Sequence, residues 1–464
     1  MKPSGFPKFS RLSVFTSTPL FTFSDACSFM YTFTKLEQEV FIMFQPYILL
    51  PDSRLKKFEF ILSLLPDIPL FHSSGRNPYP PSSVVKALVL KNLFALSNLS
   101  DLVRFLYDFP ILRQICSFDS FQTSLPVERF SHFLKSFPNS ILQTCRINLV
   151  HQLISYDQIS GELISADSCP VISPVKENNP KTTVKDRFNK YKSCTGDPDA
   201  KLGITVSFLK SKKSISFFWG YRNHIINDAL SELPIDEITK PANIHDSQFL
   251  IPQLKLISST FNLKTRAVLA DSAYDSSHIL TFIVNEFHSS PVIARNPRNS
   301  ASASSFSLSS NGIPICLAGF EMVSKGIFFD KSQNRKRHKF ICPIKGAKKF
   351  ARKHPFCPWN HPKFFSNRFG CSTYIRLDID NSIRKSINYG SQLFKKIYSH
   401  RTSSERIFSR LLSLSMQKPS VKGLNAISNI CTIAHITVLL VALAAVKSGN
   451  SDKIRFVKKL IPNL

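Results

Sequence analysis

Three acidic residues, far apart in the chain, have surroundings that suit metal-dependent phosphoryl chemistry. Asp167 and Asp271 each follow a short apolar segment and precede a serine, and Glu405 lies among arginines in a segment of helical character. Carboxylate oxygens are the ligands that Mg²⁺ prefers, and two such ions ~4 Å apart can activate an attacking hydroxyl and stabilise a leaving oxygen. The three residues therefore predict a site for two divalent cations, provided that the fold brings them together.

Each of these residues also has a simpler structural explanation. An aspartate after a strand is most often a cap or turn residue, which is a sufficient account of Asp167 taken alone. Asp271 is more specific, because Tyr274 and Asp275 follow it in a compact group. The segment 402–405 reads Thr-Ser-Ser-Glu and matches a capping box, so Glu405 is equally explained as the residue that closes a helix N-terminus.

The elements around the two aspartates predict a mixed α/β sheet. The apolar segments that lead into Asp167 and Asp271 have the length and composition of buried strands. Between the two aspartates the patterns predict a hairpin formed by 202–209 and 214–221 and a helix at 248–257. After Asp271 they predict a second helix at 275–286 and a further strand at 291–294. Strands that first form a hairpin and then alternate with helices are typical of a mixed sheet.

Helical patterns dominate at both ends of this region. Between about 80 and 150, three helices are predicted, two of them introduced by Pro80-Pro81 and by Asn98. They suit a DNA-binding module and, equally, a packing domain without DNA contact. The segment 431–446 is almost wholly apolar but shorter than the ~20 residues of a membrane-spanning helix and contains His435, which favours a buried core helix.

Charge is the strongest compositional signal. The 464 residues include 60 Lys and Arg against 31 Asp and Glu, a formal net charge of +29. This excess favours a polyanionic partner, either nucleic acid or an anionic membrane surface. The ten cysteines are too few for a disulfide scaffold in a chain of this length and indicate a reducing compartment.

Residues 299–397 interrupt the α/β rhythm and are interpreted as an insertion. It opens with a Ser/Ala linker at 300–310 and continues with clusters of Lys and Arg suited to the DNA backbone. It also contains widely spaced cysteines and histidines: Cys342, Cys357, Cys371, His338, His354 and His361. Zinc sites usually use close Cys pairs, so the prediction is buried thiols, with zinc in the insertion unexpected.

The residues in this order resemble the DDE transposases of bacterial insertion sequences. The stretch 130–133 resembles the family's helical N-terminal domain, 166–168 its first aspartate block, and 241–247, 270–275 and 296–298 its second. Tyr398, Arg401 and Glu405 have the Tyr-x2-Arg-x3-Glu spacing of its third block. The family continues this block to a lysine seven residues past the glutamate, where this chain has Leu412.

The resemblance implies a ribonuclease-H-like α/β fold: a mixed sheet flanked by helices, with a helical N-terminal domain and an insertion before the last catalytic helix. It implies a DNA transposase that cleaves the ends of an insertion sequence, with water as the first nucleophile, and joins the freed 3′-hydroxyl to target DNA. Asp167, Asp271 and Glu405 would be the catalytic residues and would hold two ions of Mg²⁺ (or Mn²⁺).

Other residues are implied in supporting roles. The implied DNA-binding residues are Tyr398, Arg401, Arg406 and Arg410, the last two of which are equally explained as solvated arginines. His245 and Asp246 are candidates for supporting the metal ligands from behind, although a structural His–Asp pair is the simpler explanation. The implied partner is double-stranded DNA, both transposon ends and target, bound by a homodimer or larger assembly in the cytoplasm at the nucleoid, with no membrane.

The predicted domain organisation has six segments. They are an N-terminal extension (1–75), a helical N-terminal domain (76–155), the first part of the catalytic core (156–298), the basic Cys-containing insertion (299–397), the C-terminal helices of the core (398–448) and a basic tail (449–464). Two other functions stay open at this point: an inactive relative that only binds DNA, and a basic membrane-associated protein anchored by 431–446.

Overall fold

The structure is a computed structural model that describes residues 52–70, 79–118, 125–192, 194–209, 212–296, 307–309, 313–332, 335–376 and 382–455. Its α-helices are α1 (Asp52–Ser63), α2 (Pro81–Leu93), α3 (Leu99–Asp108), α4 (Pro110–Ile115), α5 (Val127–Ser136), α6 (Asn139–Ser155), α7 (Ser247–Thr260), α8 (Ser277–Asn285), α9 (Pro343–Gly346), α10 (Lys348–Lys353), α11 (Pro362–Ser366), α12 (Ser382–Ser386), α13 (Gln392–Tyr398), α14 (Thr402–Ser413) and α15 (Leu424–Lys447). Its strands are β1 (Leu163–Ile172), β2 (Lys201–Leu209), β3 (Lys212–Asp228), β4 (Pro234–Pro241), β5 (Ala267–Ala270), β6 (Ser290–Ile293), β7 (Ser307–Leu308), β8 (Pro314–Ile315), β9 (Val323–Asp330), β10 (Arg335–Ile341) and β11 (Ser372–Arg376).

The main sheet is mixed, as the sequence predicted. Its strand order is β2–β3–β1–β5–β6, and β4 also pairs with β3. The long strand β3 is antiparallel to β1, β2 and β4, whereas β1, β5 and β6 run parallel to one another. The predicted hairpin is therefore confirmed as β2 and β3, although β3 continues to Asp228 and β4 was not predicted.

Helices α7 and α8 make the crossovers that the parallel strands require. Helix α7 joins β4 to β5, and α8 joins β5 to β6, in agreement with the predicted helices at 248–257 and 275–286. All four residues of β5 are buried, which is typical of a central parallel strand covered on both faces. This strand ends directly before Asp271.

Helix α15 forms the centre of the core. It packs against α2, α5, α6 and strand β4. Within the described residues it is the helix whose length and composition would suit a membrane span, yet 89% of its apolar window is buried inside the protein. The prediction of a buried core helix over 431–446 is confirmed, and its polar groups have internal partners, as when Thr432 donates a hydrogen bond to Glu237 (2.6 Å).

The N-terminal helices share this core with the sheet. The three predicted helices correspond to α2, α3 and α5, and Asn98 caps α3 by accepting a hydrogen bond from the Asp101 N–H (2.8 Å). Helix α6 was not predicted as an element of its own. Its buried face contains Arg146, which pairs with Asp236 of β4 (2.7 Å) and interrupts the apolar pattern.

The insertion contains a second antiparallel sheet, in the order β9–β10–β11, together with α9, α10 and α11. It has a buried cluster of its own, described below. Most of the predicted linker at 300–310 lies outside the described residues.

Candidate active site

Asp167, within β1, lies beside Asp271, which directly follows the neighbouring parallel strand β5. Ala166 of β1 is in register with Ala270 of β5, and each aspartate is the next residue of its chain. Residues in register on adjacent strands lie about 4.8 Å apart and point to the same face. The structure therefore brings together the two carboxylates that the sequence placed 104 positions apart (271 minus 167).

Burial, together with the charge of neighbouring carboxylates, raises the pKa of both aspartates. Burial, with the charge of Asp271 as a smaller contribution, raises the pKa of Asp167 to about 7 against the opposing effects of the Ser168 N–H and Arg401. The pKa of Asp271 is also raised, first by burial and then by Asp246, although the Ala273 N–H hydrogen bond (2.8 Å) opposes the shift. A cation between the carboxylates would relieve this cost.

Glu405 is linked to the aspartates through Arg401. The Arg401 Nη1 lies 3.4 Å from Asp167 Oδ2, and its Nη2 lies 2.6 Å from Glu405 Oε1. The Glu405 side chain is 57% exposed, against 20% for Asp167, so the glutamate lies on the open side of the site. All three predicted acids are thus at one location, with a guanidinium group joining the first to the third.

The capping explanation of Glu405 is wrong. Helix α14 continues from the 3₁₀ turn Ser399–Arg401, and its first residue is preceded by Arg401 in helical conformation with no side-chain cap. The Thr402 hydroxyl donates to the Ser399 carbonyl (2.9 Å), and the start of α14 has no side-chain cap hydrogen bond of the kind that a capping box supplies. Glu405 is therefore free of the role that competed with chemistry.

Two buried serines fix helix α14 on the sheet, and the sequence analysis missed them. Ser404 Oγ donates to Asn227 Oδ1 (2.8 Å) and shares a hydrogen bond with Ser165 Oγ (2.8 Å). Ser403 Oγ accepts from Asn227 Nδ2 (3.0 Å). The signal was present: Ser165 interrupts an apolar strand two residues before Asp167, and the serine pair directly precedes Glu405.

Asp246 and His245 point in different directions. Asp246 faces the buried His224 (3.4 Å) and Arg222 (3.8 Å), and its charge contributes to the raised pKa of Asp271. His245 is exposed and its Nδ1 contacts Ser247 Oγ (2.7 Å). The histidine beside Asp246 is thus His224, whose pKa burial lowers to about 4.

The remaining predicted DNA-binding residues differ in how exposed their side chains are. Tyr398 is half-buried, stacks on Phe394 (5.7 Å between ring centroids) and lies beneath the Arg401 guanidinium (5.8 Å). Arg406 and Arg410 both pair with Glu232 (2.6 and 2.9 Å), but the Arg406 side chain is 51% exposed and that of Arg410 only 13%.

The donor set suits hard cations, although the arrangement is not preformed. Among the described residues, no group of three or more Cys, His, Asp and Glu side chains is placed ready to hold a metal ion. At this site the reason is visible, because Arg401 holds Asp167 and Glu405. Metal binding by all three acids therefore requires Arg401 to release them.

Comparisons with known proteins point to one family. Residues 50–136 match the model of a transposase domain (DUF772), and residues 205–305 match the transposase DDE domain. The second match includes Asp271 but neither Asp167 nor Glu405. No curated protein matches the chain.

A solved structure also aligns with much of the chain, the cryo-EM structure of the piggyBac transposase synaptic complex with hairpin DNA. The alignment covers 88% of this chain and 77% of the piggyBac transposase chain, at 12% sequence identity and a TM-score of 0.35. A likeness at this level does not indicate function. The two domain matches lie in the N-terminal helices and in the part of the chain that runs from β2 through β6 and includes Asp271. The two matches, to a transposase domain and to a transposase DDE domain, support an insertion-sequence DDE transposase.

Proposed function

We propose that Asp167, Asp271 and Glu405 are the catalytic residues with which this transposase cleaves DNA at its element ends and joins the freed 3′-hydroxyl to target DNA. The observation that carries the proposal is the register of Ala166 with Ala270, which puts two aspartates side by side. The link from Asp167 through Arg401 to Glu405 extends the set to three.

The sheet supports a ribonuclease-H-like core. An antiparallel group (β1, β3, β4) is followed by parallel strands β5 and β6 joined by helices, with Asp167 within β1, Asp271 directly after β5 and the last acid on helix α14. On this proposal 156–298 and 398–448 form the catalytic core, 76–155 the helical N-terminal domain, and 299–397 an insertion before the last catalytic helix.

The three carboxylates would hold two divalent cations, Mg²⁺ or Mn²⁺, which supply activation of the attacking oxygen and stabilisation of the leaving oxygen. The raised pKa of Asp167, about 7, means that this carboxyl gives up its proton when a cation binds at neutral pH. Before the cations bind, Arg401 partly compensates the negative charge of Asp167 and Glu405. Once they have bound, its guanidinium group would be placed to contact a phosphate of the bound DNA.

The other arginines and Tyr398 complete the DNA surface on this proposal. Tyr398 supports Arg401 from below, and Arg406 is exposed enough to reach a phosphate while it pairs with Glu232. Arg410 is enclosed and holds Glu232, so its contribution is to the position of helix α14. Synapsis of two ends would need a dimer or larger assembly, and the site of action would be the nucleoid in the cytoplasm.

Asp271→Asn tests the catalytic role directly. We expect the purified protein with its element ends and Mg²⁺ or Mn²⁺ to nick DNA, and the variant to fall to background while it binds the ends with unchanged affinity. Glu162→Gln is the matched control, since Glu162 precedes the opposite end of β1 and pairs with the exposed Arg266 (2.8 Å). Nicking by Asp271→Asn at the wild-type rate would contradict the proposal.

A DNA-binding protein without catalysis is the second candidate. The closed Arg401–Glu405 pair and Leu412, 38% exposed where the family has lysine, are the observations that favour it. Wild-type protein that binds the ends but nicks them with neither Mg²⁺ nor Mn²⁺ would establish this reading.

A further inference from the structure

Four cysteines of the insertion meet in one buried cluster. Cys316, Cys342, Cys357 and Cys371 are each 2–8% exposed and pack together with Met322, Phe340, Ile344 and Phe364. They line one cavity of about 10 Å³, close to the space that a single water molecule or ion needs. Cys316 was not among the cysteines singled out from the sequence, because spacings of 14 to 26 residues between the four hide their convergence (371 minus 357, 342 minus 316).

Tight turns deliver the thiols to this point. The Gly319 N–H donates to the Cys316 carbonyl (2.9 Å), the Gly346 N–H to that of Cys342 (2.9 Å) and the Asn360 N–H to that of Cys357 (3.0 Å). Each of these three cysteines therefore begins a turn of four or five residues. Such turns hold a thiol at a fixed position on the backbone.

The approach of the fourth cysteine depends on a glycine. Gly370 precedes Cys371 with φ of +63°, and a Cβ at this position would lie 2.8 Å from the Cys342 Cβ. A side chain at 370 would separate the two strands of chain that carry Cys342 and Cys371. The backbone is thus shaped for close contact between these two thiols, which lie within hydrogen-bonding reach of each other.

A cross-link between the four cysteines would stabilise the insertion, which has a small hydrophobic core. The segment 313–376 is about the size at which a hydrophobic core alone gives marginal stability, and small modules of this kind commonly use metals or disulfides. Several large apolar side chains are exposed here instead of buried, among them Phe356, Trp359 and Phe365. A cross-link between the four turns would compensate for the limited core.

We propose that Cys316, Cys342, Cys357 and Cys371 together bind one structural Zn²⁺. Four thiolates satisfy the tetrahedral preference of zinc, with Zn–S distances of about 2.3 Å, and the thiols release their protons to solvent on binding. The side chains are not preformed ligands in this structure. A cysteine has one side-chain torsion, so the four sulfurs can close on an ion without rebuilding the turns.

The histidines of the insertion have other partners. His361 lines the cavity, but its Nδ1 accepts a hydrogen bond from the Lys363 N–H (3.1 Å) at the start of α11. His338 Nε2 contacts Ser324 Oγ (2.7 Å), and His354 packs against Phe320 and Phe350. The four thiols are therefore the ligand set. This proposal concerns the insertion and does not depend on catalysis by the carboxylates.

Zinc content of the purified full-length protein tests the proposal. We expect one zinc per chain by elemental mass spectrometry, falling at least tenfold in Cys342→Ser and in Cys371→Ser. Cys194→Ser is the control, since this buried thiol lies outside the insertion beside Glu177 (3.3 Å) and a hydroxyl can keep that contact. Zinc-free wild type, or equal zinc in all three variants, would overturn the assignment.

Wild-type protein alone gives a second measurement should the variants fail to fold. Stepwise modification of thiols with a mercurial should release one zinc as four thiols react, and Co²⁺ exchanged into the site should show thiolate-to-cobalt charge-transfer bands with tetrahedral intensities. Peptide mapping without reductant that finds Cys342 and Cys371 joined in a disulfide would contradict the zinc site, as would a cobalt spectrum without thiolate bands.

Discussion

The carboxylate site of the main sheet and the thiol cluster of the insertion are both sets of metal-type ligands, but they are positioned in different ways. Strand register fixes Asp167 beside Asp271, and helix α14 is fixed by Ser403, Ser404 and Asn227. The thiols stand instead on short turns around a small cavity. Sheet register and helix packing thus bring the acids together, whereas on our proposal a zinc ion would complete the link between the turns that carry the thiols.

Charge compensation shows the same difference. In the main sheet Arg401 neutralises Asp167 and Glu405 in the absence of a cation. At the thiol cluster, the hydrogen bond with Cys371 lowers the pKa of Cys342, and the charge of Lys345 makes a smaller contribution in the same direction. A metal site that is open to substrate suits catalysis. A closed set of four thiolates suits a permanent structural role.

Zinc removal is expected to give the largest effect. A structural zinc site contributes on the order of 10 kcal/mol of binding free energy, more than a module of this size can replace. Treatment with a zinc chelator should therefore raise hydrogen exchange across 313–376 and leave β1, β5 and α15 protected. Omission of Mg²⁺ alone is the control and should change neither region. Loss of protection throughout the chain would show that the insertion is not an independent unit.

Asp167→Asn is expected to stabilise the metal-free protein while it abolishes cleavage. Burial raises the pKa of Asp167 to about 7, whereas the unfolded value is about 3.9, so the folded state holds a proton that the unfolded chain has released. The stability contribution of this carboxyl consequently falls as pH rises from about 4 to 7 and is lowest above 7.

At pH 8 the substitution should raise the free energy of unfolding by about 1–3 kcal/mol, with little change at pH 4. Urea unfolding at both pH values, in the absence of divalent cations, measures the difference. Glu162→Gln changes a carboxyl directly before β1 whose side chain is 39% exposed, and it should be neutral at both pH values. A loss of stability at pH 8 would mean that the ion pair with Arg401 outweighs the cost of burial.

The sequence revealed more of the sheet site than of the insertion, for physical reasons. The apolar segments before Asp167 and Asp271 are strand signals local to the chain, so both strands could be predicted. Strand β1 continues past Asp167 to Ile172, and the register of Ala166 with Ala270 is a property of the folded sheet that no local pattern encodes. The part played by Ser165 and Asn227 depends on which helix packs against them, which no local pattern encodes. The four thiols converge only when the turns that carry them pack together in the folded insertion. Their spacing in the sequence resembles that of unrelated buried cysteines.

Arg406 and Arg410 provide the smallest and most discriminating test, because they lie one turn apart on α14 and share the partner Glu232. Arg406 is half exposed, so Arg406→Ala should lower stability by less than about 1 kcal/mol. Loss of one phosphate contact should reduce the slope of log affinity against log salt by about 0.9. Arg410→Ala leaves the largely buried Glu232 with weaker compensation and should cost about 1–3 kcal/mol with no change in that slope. Fluorescence anisotropy with element-end DNA over a range of salt, beside urea unfolding, separates the two, and equal slopes for wild type and Arg406→Ala would remove this arginine from the DNA surface.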